Sequence, residues 1–192
     1  MNTLVKICGL RDVQTVDATV AAGADAVGFV FADSVRRVTI AEANAAAANV
    51  PPNVMRVAVM LHPSAGEWRE VATNFRPDVL QTDIDDFDHL EVPAAIRRWP
   101  VIREGACLND EMPGTFVYEG RKSGKGERVD WNRAAQIARS GNMILAGGLD
   151  AANVADAIRQ VGPFGVDVSS AVESEPGRKD VHKIESFIAA AR

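Results

Sequence analysis

One stretch decides the architecture: NMILAGGLDAANVADAI, Asn142–Ile158, followed after two residues by VGPFGVDVSSAVE, Val161–Glu173. Each half runs from an apolar segment into a turn of small residues. Met143–Ala146 has the pattern of a short buried strand that stops at Gly147-Gly148, and helical spacing resumes from Asn153 to Val161. Two adjacent glycines at a strand end remove every Cβ, so backbone N–H groups can approach an anion closely. Gly165–Val168 repeats the strand pattern and delivers Ser169-Ser170-Ala171. Paired loops like these after the last two strands of an eight-stranded α/β barrel form that fold's usual phosphate grip. The same residues also suit two tight αβ turns with no ligand, because Gly-Gly turns are common.

Outward from this stretch the rhythm continues. Leu4–Cys8, Ala26–Phe31, Met55–Leu61, Val79–Thr82, Pro100–Arg103 and Thr115–Tyr118 read as short strands. Val13–Ala22, Thr39–Asn49, Ser64–Asn74 and Asp130–Arg139 read as helices, and Val181–Ala191 closes the chain as an amphipathic helix. Thr39 with Glu42, and Ser64 with Glu67, have capping-box spacing. Asp83–Val92 is weakly helical at best, and Ala106–Pro113 is loop-like. Short apolar strands alternating with helices call for parallel βαβ units. Eight units in 192 residues allow 24 residues each, below the usual TIM-barrel length of about 250. The two short connections account for the difference. The expected fold is a single (βα)8 TIM barrel over residues 1–192, in a short version with one or two reduced helices. An open doubly wound sheet is the structural alternative, but neither Gly9 nor Gly28 begins a G-x-G-x-x-G turn.

A net charge of -5 with 47% apolar residues argues against a nucleic-acid or membrane partner, whose footprint would be basic. Lys6 and Arg11 interrupt the amino-terminal apolar run, so no signal peptide or spanning segment is expected. Cys8 and Cys107 make no disulfide framework, which suggests a cytoplasmic protein with reduced thiols. His62, His89 and His182 lack metal-ligand spacing, so no metal site is expected. GRKSGKGER, residues 120–128, fails the P-loop spacing and reads as a mobile charged loop. Trp68, Trp99 and Trp131 suit either a core or an interface, leaving monomer and homodimer both open.

In a barrel, function sits at the carboxyl ends of the strands. Those ends supply Cys8, Phe31–Arg37, His62, Gln81–Asp83, Arg103-Glu104, Glu119, Gly147-Gly148 and Asp167–Ser170. A thiol and a carboxylic acid on opposite sides of a bound sugar phosphate can run an isomerisation: one removes a carbon-bound proton while the other protonates a leaving oxygen. Duller readings exist for each group. A strand-end cysteine is more often an inert small hydrophobe. Arg36 and Arg37 suit a solvated loop, as does Glu119 beside Arg121-Lys122. Asp167, inside an apolar run, needs a partner in either case.

Several motifs resemble the phosphoribosylanthranilate isomerase family: Lys6-Ile7-Cys8-Gly9-Leu10, the Ala22–Phe31 block, Ser34-x-Arg36-x-Val38, Val79-Leu80-Gln81, Val129-Asp130-Trp131, Leu145–Leu149 with Asn153-Val154, and Val166–Glu173 with Pro176-Gly177-x-Lys179-Asp180. These run in order from residue 5 to the last helix. The resemblance implies a cofactor-independent Amadori rearrangement of a phosphorylated small molecule in tryptophan biosynthesis. It implies Cys8 as general base, Arg36 as the contact for the anthranilate carboxylate, and Asp167 near the substrate amine. Gly147, Gly148, Ser169 and Ser170 would hold the phosphate, with Gln81 and Asp83 at the substrate pocket.

The sequence departs from the family pattern at defined places. The acid position, twelve residues before Trp131, holds Glu119 instead of aspartate. The added methylene changes its reach by about 1 Å, and a protonated role calls for burial to raise it. Asp83 stands where the family has an imidazole, Ala171 replaces a glycine, His62 stands near a usual asparagine, and Ser123–Gly126 lacks one loop glycine. Two rivals follow: a related aminoaldose-phosphate isomerase of the histidine-pathway type, and a non-catalytic paralogue that binds a phosphorylated ligand. Cys8 and the single Gly-Gly weigh against the first; Cys8, Arg36 and Asp167 weigh against the second.

Overall fold

Eight short parallel strands close on themselves in sequence order, each bonded to its chain neighbour and the last to the first. The computed structural model describes residues 3–106, 112–121 and 128–192. The strands are β1 (Leu4–Cys8), β2 (Ala26–Val30), β3 (Met55–Val59), β4 (Val79–Asp83), β5 (Arg97–Arg103), β6 (Thr115–Glu119), β7 (Asn142–Leu145) and β8 (Gly165–Val168). Around them lie α1 (Val13–Ala21), α2 (Ile40–Ala46), α3 (Ala65–Asn74), α4 (Trp131–Ile137), α5 (Val154–Val161) and α6 (Val181–Ala190). The barrel is therefore the short version expected. A 3₁₀ turn, Ile84–Asp88, replaces the helix after β4, and no helix follows β5 among the described residues.

Local chemistry sets the helix starts. Thr39 and Ser64 each accept from the backbone N–H three residues on, while Glu42 and Glu67 reach back to the cap backbone at 2.7 and 2.8 Å. Both capping boxes form as the spacing predicts. Asp12, Asp130 and Asp180 cap α1, α4 and α6 through their carboxylates. The strand β5 starts three residues before the Pro100 expected from the apolar pattern. Its exposed Arg97 and Arg98 pair with Val79 and Leu80 of β4, so a polar start hid the boundary. Pairing to β6 begins only at Val101, so the missing N–H of Pro100 falls where a single neighbour bonds.

Because side chains alternate along a strand, each strand sends every second residue inward. The inward set divides into two layers. Ala26, Val57, Val79, Trp99, Val101, Val117 and Ile144 pack together and fill the lower barrel. Above them, the carboxyl ends send in Cys8, Gln81, Glu119 and Asp167. The outward set, including Val5, Ile7, Phe29, Leu80, Phe116 and Val166, packs beneath the helices. Trp68, Trp99 and Trp131 are all buried within this chain. No helix among the described residues is long and apolar enough to cross a membrane.

A small hairpin, β9 (Glu173–Glu175) and β10 (Arg178–Lys179), follows β8 and had no separate signal in the apolar pattern. Loss of one capping box should leave the barrel intact but weaker. Ser64→Ala is expected to cost about 1 kcal/mol, read as a lower denaturant midpoint; an unmoved midpoint would contradict the cap's contribution.

Candidate active site

The carboxyl ends of the strands open into one cavity. Cys8, Gln81, Glu119 and Asp167 line it from strands β1, β4, β6 and β8, and Arg36 lines it from the loop after β2. Gly147 and Gly148 after β7, and Ser169 and Ser170 after β8, complete its wall. Nine of the ten residues singled out from the sequence thus share one cavity, and the tenth, Asp83, lies outside its lining.

The floor is ionic. Lys6, two residues before Cys8 on the same inward face, has no exposure and donates to Asp167 Oδ2 at 2.7 Å. The two are register partners across the β1–β8 seam. Burial alone would lower Lys6, but Asp167 and Cys8 outweigh it and hold the ammonium protonated above its ordinary range. Burial pushes the Asp167 carboxyl up against the pull of Lys6 and Lys179. Its Oδ1 is buried without a partner, as is Gln81 Oε1. Two unpaired acceptors in a cavity wall are positions where a ligand N–H or O–H can bond. Burial also pushes the Cys8 thiol up, with Lys6 pulling the other way. A Cβ on Gly28, the register partner of Cys8, would sit 3.1 Å from Cys8 Sγ and 3.2 Å from Lys6 Cε. A side chain there would make both of these neighbours give way by a few tenths of an ångström.

On one rim, Arg36 is held rather than solvated. Its Nε and Nη2 donate to the two oxygens of Glu173 at 2.6 and 2.9 Å. Lys179 donates to Glu173 Oε1 at 2.8 Å and to the Ser169 carbonyl at 2.8 Å, and Ser169 Oγ donates to the Cys8 carbonyl at 3.0 Å. Burial raises Glu173, but bonds from Arg36 and Lys179 outweigh it and hold the carboxyl at about 2. The Nε–Nη2 edge of Arg36 is therefore occupied by Glu173, which leaves a ligand the end-on Nη1–Nη2 edge. Behind the glycine turn, Asn153 Nδ2 donates to the Gly148 carbonyl at 2.9 Å. Gly148 has a φ of +66°, and a Cβ there would meet Arg128 Cα at 2.7 Å.

On the other rim, Glu119 Oε1 accepts from Arg103 Nη1 at 2.7 Å. Arg103 also forks onto Asp83, Nη2 to Oδ1 at 2.6 Å and Nε to Oδ2 at 3.2 Å. Asp83, expected at the substrate pocket, has its carboxylate bonded to Arg103 and lies outside the cavity lining. His62, at the end of β3, stands off the cavity lining with Nδ1 3.0 Å from Asp86, whose hydrogen bond raises its pKa. The charged loop expected over 121–128 falls largely on residues 122–127, outside the described residues, as does Cys107.

Sequence reasoning passed over Lys6, Glu173 and Lys179 as site residues, and placed Arg103 at a strand end without giving it a role. Lys6 carried a usable signal: a lysine in a buried first strand and an aspartate in a buried last strand must meet once a barrel closes.

A closed parallel barrel with titratable groups and small-residue turns at its carboxyl ends defines the class of (βα)8-barrel enzymes. The N-(5'phosphoribosyl)anthranilate (PRA) isomerase family matches over residues 5–190. The isomerase of Listeria innocua is 36% identical over 98% of both chains. The crystal structure of TrpF from Jonesia denitrificans superposes with a TM-score of 0.83 at 32% identity, covering 99% of this chain and 97% of that one. A phosphoribosyl anthranilate isomerase in complex with reduced 1-(o-carboxyphenylamino)-1-deoxyribulose 5-phosphate matches at a TM-score of 0.80 and 29% identity over 98% of each chain. The chain belongs to the N-(5'-phosphoribosyl)anthranilate isomerase family.

Two outcomes follow from the site's electrostatics. With its pKa lowered from 4.5 to about 2, Glu173 stabilises the fold fully above about pH 4.5 and loses that contribution as pH falls towards 2, on the order of 3 kcal/mol in all. The gap in unfolding free energy between wild type and Glu173→Gln should shrink over that window; a constant gap would contradict it. Alkylation of Cys8 by iodoacetamide, mapped to its peptide to separate it from Cys107, should keep accelerating beyond the ordinary thiol value of about 8.5. A plateau below pH 8 would contradict the burial argument.

Proposed function

We propose that this chain converts N-(5'-phosphoribosyl)anthranilate to 1-(2-carboxyphenylamino)-1-deoxyribulose 5-phosphate, the Amadori rearrangement of tryptophan biosynthesis. The observation that carries this reading is one cavity walled by Cys8 at the tip of β1, Glu119 at the tip of β6 and the turns after β7 and β8. The turns suit the phosphate, since Gly147 and Gly148 present bare backbone and Ser169 and Ser170 add hydroxyls. With the phosphate anchored there, the sugar lies between thiol and carboxyl.

Glu119, in its protonated form, gives a proton to the furanose ring oxygen as the C1–O bond breaks. The substrate nitrogen takes up the developing charge as an iminium. Cys8, as thiolate, then removes the proton from C2, and the resulting enolamine becomes the ketone as a proton is added at C1 and the O2–H proton leaves, restoring the Glu119 acid. The unpaired Oδ1 of Asp167 suits the substrate amine, whose N–H it can accept. Arg36 meets the anthranilate carboxylate through its end-on edge, its other edge being fixed by Glu173.

The test follows the change in anthranilate-type fluorescence on freshly made substrate. Wild-type protein should turn over, and Cys8→Ala and Glu119→Gln should each lower kcat by about 10²- to 10⁴-fold, the usual range for a lost acid or base. Absence of turnover by folded wild-type protein, or full activity in both variants, would end the assignment.

A further inference from the structure

Glutamate at an acid position carries a geometric problem. Its carboxyl swings on one more rotatable bond than an aspartate's, and each such bond offers about three staggered wells. A proton donor misplaced by about 1 Å can cost on the order of 10²-fold in rate. Something must hold Glu119 in one well.

Arg103 is placed to do so. It ends β5 directly opposite Glu119 at the end of β6, and the two are register partners. Its Nη1 bonds Glu119 Oε1 at 2.7 Å. The same guanidinium is locked from behind by Asp83 at the end of β4, through two bonds of 2.6 and 3.2 Å. A planar fork held on one edge by a bidentate carboxylate has little freedom left on the other. Asp83 is itself braced, with His62 Nε2 3.4 Å from Oδ2. The three side chains are 16, 23 and 13% exposed, in the order Asp83, Arg103, Glu119. Bonds this sheltered are screened less than surface pairs. Neither Arg103 nor Asp83 lines the cavity, so neither is placed to touch substrate.

We infer that Arg103 and Asp83 are positioning residues, a two-part clamp across three adjacent strands that fixes the Glu119 carboxyl for proton donation. The clamp joins two of the departures from the family pattern, Asp83 and Glu119, through one guanidinium. The inference rests on Glu119 being the acid, as proposed above.

The experiment is a mutant cycle read in kcat and KM separately. Glu119→Gln serves as the reference for the acid itself. Arg103→Met should lower kcat by about 10- to 10²-fold with KM within about threefold of wild type. Asp83→Asn should lower kcat several-fold in the wild-type background, yet add nothing in the Arg103→Met background, because it works only through Arg103. If Arg103→Met does not fold, Arg103→Lys replaces it in the same cycle, since an ammonium keeps the charge but cannot fork between two carboxylates. Should Glu119→Gln lose activity while the Arg103 variant keeps wild-type kcat, or Asp83→Asn cost the same in both backgrounds, the clamp is overturned and the acid stands. Should Glu119→Gln keep full activity, acid and clamp fall together.

Discussion

A single ammonium sealed in the barrel sets the terms for the rest of the molecule. Lys6 has no solvent contact, and its 2.7 Å bond to Asp167 ties the first strand to the last at the seam where the barrel closes. Taking both charges out of water costs several kcal/mol per ion, and well-packed apolar residues often do as well in such a place. Stability alone is therefore a weak reason for the pair. Its position explains more. Asp167 is held with one oxygen bonded and the other buried without a partner, and a positive charge sits beneath a thiol that burial pushes up, pulling the other way. The pair also crowds its neighbour, since a side chain at Gly28 would press on both Lys6 and Cys8.

The barrel interior separates two tasks by height. Its lower layer, from Ala26 round to Ile144, is apolar and closely packed. The upper layer carries the polar groups, and the charges in and around it are answered by one another: Lys6 by Asp167, Arg36 by Glu173, Arg103 by Asp83 and Glu119. Cohesion comes from below and chemistry from above, so the upper side chains are free to be chosen for reactivity. The helices economise in the same spirit. Where a 3₁₀ turn stands in for a helix after β4, Leu90 is still buried in the outer core and Phe87 packs against it.

Much of this was legible in the chain. Strand and helix alternation gave the barrel because each βαβ unit repeats a local pattern, and the boxes at Thr39 and Ser64 formed because their spacing is sufficient in itself. The cavity wall was legible for a related reason: strand ends converge in a barrel, so Cys8, Glu119 and Asp167 had to approach one another. What stayed hidden were partnerships over long separations. Arg36 and Glu173 are 137 residues apart, and nothing in either neighbourhood announces the other. Asp83 read as a pocket residue because it ends a strand, whereas a cation at the end of the next strand bonds it. The start of β5 was masked by two exposed arginines, and the hairpin after β8 was too short to show a period.

The bonds among Arg36, Glu173, Lys179 and Ser169 have a mechanical meaning. The segment after the second strand and the segment after the eighth lie at opposite ends of the chain, yet they are riveted into one body. Two walls of the cavity are thereby a single rigid jaw. Transplanting either loop alone onto another barrel would carry over half of a hinge plate and leave its screws behind.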